Sequence, residues 1–191
     1  MDLQSSASGR VLLITVIAFS IGELTQVKRV RRGAPHADLG AEVWFRLLFL
    51  TGIFILPAAA SLAPAAKVPH SGAALLVGAV LAWLGLLLRW WSFRTLGQYF
   101  TLVLRTSADQ VVVDAGPYRV LRHPSYTGLL MTVLGLALMV GNWVGFVASS
   151  AVVVTAMVYR IRVEEHALIE ALGDAYLDFA STRARLVPFV W

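Results

Sequence analysis

The chain has 191 residues, of which 58% are hydrophobic and 14% are charged, and its mean hydropathy is +0.74. A soluble domain carries about 25% charged residues, so this composition excludes an ordinary soluble domain. The chain contains no cysteine, which excludes disulfides, cysteine-ligated zinc, iron–sulfur clusters and a thiolate nucleophile.

Long uncharged stretches predict transmembrane helices, because a helix needs roughly 20 apolar residues to cross a bilayer. Residues 47–66 and 68–88 carry no Asp, Glu, Lys or Arg, and an uncharged run of 36 residues, 124–159, is divided by Gly141 and Asn142. We therefore predict an all-α integral membrane protein with five transmembrane helices, the last two forming a helical hairpin. The predicted spans are 11–27, 46–66, 71–89, 124–140 and 143–160.

These spans are predicted to form a single membrane-embedded domain over residues 1–191. The first span is followed by no small-residue cleavage site, so we interpret it as a retained helix and not as a signal peptide. With five spans, 14 of the 16 basic residues fall on the side of the C-terminus. The positive-inside rule then places the N-terminus outside and the C-terminus in the cytoplasm. The net charge of +5 is suited to anionic headgroups and predicts no nucleic-acid partner.

Two polar segments lie on the predicted cytoplasmic side. In the connection 89–126, the residues "QVVV" (110–113) favour an extended segment and "DAGP" (114–117) a turn. Pro124 suits the first position of the next helix, where its missing N–H costs nothing. The tail is predicted to continue the last span as a helix with one apolar stripe. The stripe consists of Ile161, Leu168, Leu172, Ala175 and Phe179.

The first candidate cluster lies in "GPYRVLRHPSYTG" (116–128), at the edge of the longest apolar run. Its members are Tyr118, Arg122, His123 and Tyr126. One interpretation is anchoring at headgroup depth, where Arg and Tyr are common. The other is a site that holds a soluble, charged molecule against a lipid-like one.

The second candidate cluster, Arg160, Arg162, Glu164 and Glu165, lies where the last span leaves the membrane. The structural alternative is a solvated helix start with an Arg160–Glu164 pair four residues apart, worth about 0.2–0.5 kcal/mol. Ionisable groups at such a position are functional candidates, so we favour a functional role.

Other charged residues are interpreted as structural. Glu23 is expected to reach the membrane interface or to pair with Lys28 or with an arginine of the second or third helix. Glu42 is expected to pair with Arg46 four residues later. His36, His70 and His166 have no partners at metal-ligand spacing, so we predict no metal site. No two glycines lie two residues apart, which argues against a dinucleotide-binding turn of the usual type.

At the two clusters the sequence resembles the isoprenylcysteine carboxyl methyltransferase family, which belongs with the membrane phospholipid methyltransferases. The residues that carry the resemblance are "GPYRVLRHPSYTG", the apolar hairpin and "RIRVEEHALIEALGDAYLDF". It covers roughly residues 89–190 and makes 89–191 the expected catalytic half. The resemblance implies a membrane-embedded methyltransferase that uses S-adenosylmethionine and releases S-adenosylhomocysteine. The implied cofactor pocket is cytoplasmic, between the 89–126 connection and the tail helix.

The resemblance also implies roles for individual residues. Gln110, Val111, Val112 and Val113 would line the adenosine, and Tyr118, His123, Ser125 and Tyr126 would hold the ribose and the methionine part. Glu164, with Glu165, would close the cofactor site. Arg160 would face a lipophilic acceptor that arrives from the bilayer, and Arg160 and Glu164 are the expected catalytic residues.

Three other functions stay open at this point. A lipid amine could be the acceptor in place of a carboxylate, and a base such as His123 or Glu165 would then be essential. A sterol-type reductase would bind NADPH instead of S-adenosylmethionine. A transporter or scaffold would bind neither cofactor.

Overall fold

In a computed structural model of the chain, the structure describes residues 7–27, 39–68, 72–97, 112–188 and 191. Over these residues the fold is all-α, as predicted. Five long helices are followed by a short one, and two single-turn 3-10 helices, Pro64–Ala66 and Gly116–Arg119, lie in the connections. The α-helices are α1 (Ala7–Val27), α2 (Leu39–Leu62), α3 (Gly72–Leu96), α4 (Pro124–Val140), α5 (Trp143–Leu172) and α6 (Asp174–Ser181).

The helices identify an integral membrane protein. Within the described residues, α1, α2, α3 and α5 are long and apolar enough to cross a membrane, and α4 is apolar but has only 17 residues. The bounds of α4 coincide with the predicted span. The second predicted span ends too late, because α2 stops at Leu62 and Pro64 opens a 3-10 turn; the residue before a proline disfavours helical geometry.

The predicted continuous tail helix is wrong. Gly173 has φ +54°, a value that favours glycine, and it separates α5 from α6. As a result Ala175 is exposed and does not join the predicted apolar stripe. Leu168, Leu172 and Phe179 do pack in one cluster, but they come from two helices.

Glycines bring α3 and α4 into close contact. A Cβ at Gly85 would lie 2.5 Å from the carbonyl oxygen of Gly128, and one at Gly135 would lie 2.5 Å from that of Gly78. Small residues at a helix interface let backbones approach closely, which is a common way to pack helices inside a bilayer. This contact fixes where the N-terminal end of α4 lies relative to α3.

The C-terminal tail lies beside the segment that precedes α4. The backbone N–H groups of Arg122 and His123 donate to the carbonyls of Ala184 and Arg185 at 2.8 and 3.1 Å. The Thr127 hydroxyl donates to the carbonyl of Leu186 at 2.8 Å. The two sequence clusters therefore meet at one end of the helix bundle.

Candidate active site

The start of α4 is built as the sequence predicted. His123 precedes the helix and Pro124 opens it. Tyr118 lies on the preceding 3-10 turn and is buried, 6% exposed. This turn packs Tyr118 against Tyr176 and Phe179 of α6. One hydrophobic cluster therefore joins the segment that precedes α4 to the C-terminal tail.

Arg160 lies at the centre of the site, where α2, α4 and α5 meet. Its residue is 3% exposed, and its Nη2 lies 3.0 Å from Oε2 of Glu42 on α2. Its Nε–H donates to the hydroxyl oxygen of Tyr126 at 3.2 Å. The Tyr126 hydroxyl in turn donates to Oε2 of Glu164 at 2.8 Å. Tyr126 thus links the two expected catalytic residues, and the ring of Phe45 covers the guanidinium at 5.7 Å.

Glu165 faces a different set of groups from its neighbour. Its Oε1 lies 3.1 Å from Nη1 of Arg122 and 3.3 Å from Nε2 of His123. Its Oε2 accepts from Nε of Arg185 at 2.8 Å. Glu165 therefore joins α5 to the α4 start and to the C-terminal tail.

Arg89 forms a third polar contact, between α1 and α4. Both oxygens of Glu23 accept from its guanidinium, and its Nη1 donates to the carbonyl and to the hydroxyl oxygen of Ser125 at 2.9 and 3.1 Å. Of the alternatives that the sequence left open for Glu23, the structure shows the pair with an arginine of the third helix. The Glu42–Arg46 pair is also present.

Two buried tyrosines outside the membrane spans adjoin Glu164. Burial, reinforced by the charge of Glu164, raises the pKa of Tyr118 well above its usual range. Burial, with the charges of Glu165 and Glu164, does the same to the pKa of Tyr176. Both hydroxyls are therefore neutral hydrogen-bond donors at pH 7.

The residues present fit the cofactor that the resemblance implies. The Tyr176 hydroxyl is buried and has no hydrogen-bond partner among the described residues, although such a group normally has one. A half-buried carboxylate, Glu164, suits a sulfonium or an ammonium group, and tyrosine hydroxyls suit a ribose. Half-buried Val112 packs on the Tyr118 cluster, where an apolar ring would be accommodated.

The structure gathers most of the predicted site residues at one end of the bundle. Val113 is half-buried and precedes the turn, whereas Arg162 is exposed. Gln110, Val111, His36, His70 and Lys28 lie outside the described residues. Among the residues that the structure covers, no group of three or more His, Asp and Glu side chains is placed to hold a metal ion.

Sequence reasoning missed two members of the site. The sequence pattern predicts only the local pair of Glu42 with Arg46, and it indicates no individual role for Tyr176. A buried acid on an otherwise apolar span is a signal that could have pointed to Glu42.

Comparisons with known proteins extend these observations. A sequence model of the family described as phospholipid methyltransferase matches residues 73–175, more than half of the chain. The chain is 35% identical to protein-S-isoprenylcysteine O-methyltransferase A of Arabidopsis thaliana over 115 residues, 59% of this chain and 58% of that protein. It is 32% identical to the protein-S-isoprenylcysteine O-methyltransferase of Saccharomyces cerevisiae over 116 residues, 60% of this chain and 48% of that protein.

The fold also has a solved counterpart. The structure of the eukaryotic intramembrane Ras methyltransferase ICMT (isoprenylcysteine carboxyl methyltransferase) aligns with a TM-score of 0.58 and 22% identity. The alignment covers 76% of this chain and 52% of that one. The matched region thus spans about half the length of these relatives.

The family match includes α4, α5 and both polar clusters, which are the segments that carry the resemblance in the sequence. The resemblance is therefore confirmed, and the chain belongs to the phospholipid methyltransferase family.

Proposed function

We propose that this protein is an S-adenosylmethionine-dependent methyltransferase that methylates the carboxylate of a lipophilic, isoprenylcysteine-like acceptor at the membrane. The names of the relatives support this activity. The observation that carries it is the position of Arg160. This buried guanidinium holds a carboxylate, that of Glu42, and is linked through one hydroxyl to Glu164.

The proposed mechanism relies on positioning. When bound, S-adenosylmethionine would supply a methyl group on a cationic sulfur, and its transfer to a carboxylate oxygen would break the carbon–sulfur bond and leave S-adenosylhomocysteine. A carboxylate is already ionised at pH 7, so the protein needs no general base. Arg160 holds the acceptor carboxylate, Tyr126 keeps Arg160 and Glu164 in register, and Glu164 faces the positive charge of the donor. Such positioning provides effective molarities of about 10⁵–10⁸ M.

The remaining cofactor contacts follow the predicted clusters. We infer that Tyr118, Ser125, Tyr126 and Tyr176 surround the ribose and the amino-acid end, and that residues 110–113 adjoin the adenosine. In this proposal His123 of the first cluster and Glu165 of the second hold the start of α4 against α5. No part of this assignment requires a metal ion.

The membrane arrangement is part of the proposal. We infer that α4 also crosses the bilayer, which makes five spans with the N-terminus outside and the C-terminus in the cytoplasm. Bilayer thinning, snorkelling of flanking residues or oligomerisation accommodates a short span. The candidate site would then face the cytoplasm, and the acceptor would reach it from the bilayer.

Two measurements test the activity. Calorimetric titration of detergent-purified protein with S-adenosylhomocysteine should show saturable binding that Glu164→Ala abolishes and Glu170→Gln preserves, because Glu170 is an exposed residue on the same helix. Incubation with radiolabelled S-adenosylmethionine and an N-acetylated, S-farnesylated cysteine should give a methyl ester that base hydrolyses to volatile methanol. Binding of NADPH in place of S-adenosylhomocysteine, or of neither, would contradict the proposal.

A lipid amine is the second candidate acceptor, because the matching family model is described as phospholipid methyltransferase. An ammonium group must lose a proton before it is methylated, and His123, which is buried beside Glu165, is a candidate base. The same radiolabel assay separates the two functions, since an N-methyl group does not hydrolyse in base.

A further inference from the structure

One member of the site comes from the N-terminal half of the chain. Glu42 on α2 is 6% exposed and lies outside residues 73–175, the part that the family model matches. A buried charged carboxylate is costly unless it is paired. Its position therefore calls for a role beyond the local pair with Arg46.

Glu42 holds two arginines with different surroundings. Its Oε2 lies 3.0 Å from Nη2 of Arg160, whose side chain is 4% exposed. Its Oε1 accepts from Nε of Arg46, one turn later on α2, whose side chain is 55% exposed. If the first contact opened, Glu42 would keep a cationic partner at the protein surface.

The contact with Arg160 has the chemistry expected of an acceptor. A guanidinium binds a carboxylate through charge-assisted hydrogen bonds. Glu42 Oε2 lies 3.0 Å from Nη2 of Arg160 as an ion pair and accepts no hydrogen bond within the described residues. Phe45 covers the face of the Arg160 guanidinium, and Tyr126 receives its Nε–H. The contact with Glu42 therefore lies where an acceptor carboxylate must arrive.

We propose that Glu42 occupies the carboxylate subsite of Arg160 in the acceptor-free protein and makes this site selective for anionic acceptors. This inference rests on the proposed function. An acceptor carboxylate displaces Glu42 toward Arg46, whereas a neutral headgroup has no charge with which to replace Glu42 at Arg160. Glu42 is thus a specificity-determining residue that competes with the acceptor.

The direction of the effect follows from the charges. Glu42 and an acceptor carboxylate are both negative and share one guanidinium, so Glu42 weakens acceptor binding. Removing its charge strengthens the binding of an anionic acceptor. Removing the charge of Arg46 does the opposite, because Glu42 then depends on Arg160 alone.

The test measures the binding of N-acetyl-S-farnesylcysteine and of its carboxamide to detergent-purified protein saturated with S-adenosylhomocysteine. In Glu42→Gln we expect the carboxylate probe to bind at least about five-fold more tightly, a difference of about 1 kcal/mol, with the carboxamide unchanged. In Arg46→Gln we expect the carboxylate probe to bind about two-fold more weakly. Arg46→Gln also decides the matter if Glu42→Gln does not fold.

The opposite results overturn the inference. Weaker or unchanged carboxylate binding in Glu42→Gln would mean that Glu42 only holds Arg160 in place. An equal gain for the carboxamide would mean that charge competition is absent. Wild-type protein that fails to bind S-adenosylhomocysteine would overturn the proposed function itself, whereas normal methylation with unaltered probe affinities in both variants overturns this inference alone.

Discussion

Glu164 and Glu165 are consecutive in the sequence but serve different contacts. Glu164 is half-buried and accepts from the Tyr126 hydroxyl. Glu165 is 7% exposed and pairs with Arg122, His123 and Arg185. Neighbouring residues on a helix point about 100° apart, so one acid faces the cofactor side and the other faces the tail.

Glu165→Gln should destabilise the protein without removing any proposed catalytic contact. The substitution leaves Arg122, His123 and Arg185 beside a neutral side chain. Loss of one partner of a buried ion pair costs about 3 kcal/mol or more of folding free energy. We expect the thermal unfolding midpoint in detergent to fall by about 6 °C or more. The control is Glu170→Gln, whose partner His166 is exposed; an equal shift in both variants would contradict a specific role of Glu165.

Tyr176→Phe should weaken the binding of S-adenosylhomocysteine without lowering the stability of the protein. The hydroxyl makes no hydrogen bond within the described residues, so its removal should leave the unfolding midpoint unchanged or slightly raised. If it meets the cofactor, the affinity for S-adenosylhomocysteine should fall about 3- to 10-fold, as for one lost hydrogen bond of about 0.5–1.5 kcal/mol. Calorimetry with the wild-type protein as reference measures this, and unaltered affinity would remove Tyr176 from the proposed site.

At the scale of helices, the α3–α4 contact positions the N-terminal end of α4, where part of the site lies. Gly85 lies one turn before Arg89, and Gly128 lies three residues after Ser125, so the glycine contact and the Arg89–Ser125 hydrogen bonds share one interface. The uncharged run, Pro124 at its start and the Gly141–Asn142 break predicted where α4 begins and ends. They contained no information on which helix it would approach.

Gly85→Ala should push α3 and α4 apart. The added Cβ would lie 2.5 Å from the Gly128 carbonyl oxygen and 2.7 Å from the backbone nitrogen of Thr132, and overpacking of this kind costs about 1–3 kcal/mol. We expect a lower unfolding midpoint together with weaker S-adenosylhomocysteine binding. Gly72→Ala is the matched control, because nothing lies within 4 Å of its added Cβ; equal behaviour of the two variants would argue against the contact.

A substitution in the turn between α4 and α5 should also lower the stability of the protein. Asn142 accepts from the backbone N–H of Gly145 at the start of α5, and its amide donates to the carbonyls of Ala59 and Ala63. Asn142→Ala removes an N-cap and the two side-chain hydrogen bonds to the carbonyls of Ala59 and Ala63, at a cost of about 1–2 kcal/mol. Thermal unfolding should show this loss and none for Thr155→Ala, whose hydroxyl is exposed. A stable Asn142→Ala protein would mean that the turn is held by the packing of α2 alone.

At the scale of the whole molecule, the proposed orientation can be tested directly because the chain has no cysteine. Single cysteines at Ser61 and Ser181 would be exposed on opposite ends of the bundle, at the ends of α2 and α6. In intact cells a membrane-impermeant maleimide should label the cysteine at 61 and not that at 181, and it should label both after permeabilisation. The reverse pattern would invert the topology and place the site outside.

Composition and apolar run lengths were sufficient to identify a membrane protein, to locate its five long helices and to mark the two polar clusters. These features are local, since each depends on about 20 consecutive residues or on one helix terminus. Gly173 marks the limit of such reasoning: the periodic stripe continued through it, and its positive φ ended the helix.

The partners of the site residues depended on the packing of distant segments. Arg89 meets Glu23 across 66 residues, and Arg160 meets Glu42 rather than only its own helix. Hydropathy cannot distinguish these pairings. The hydropathy profile of an apolar helix with one ionisable residue is the same whichever helix supplies the partner of that residue. The pattern of residues along the chain therefore set the class, the helices and the candidate chemistry. The packing of α1 against α3 and of α2 against α5 selected which charges meet.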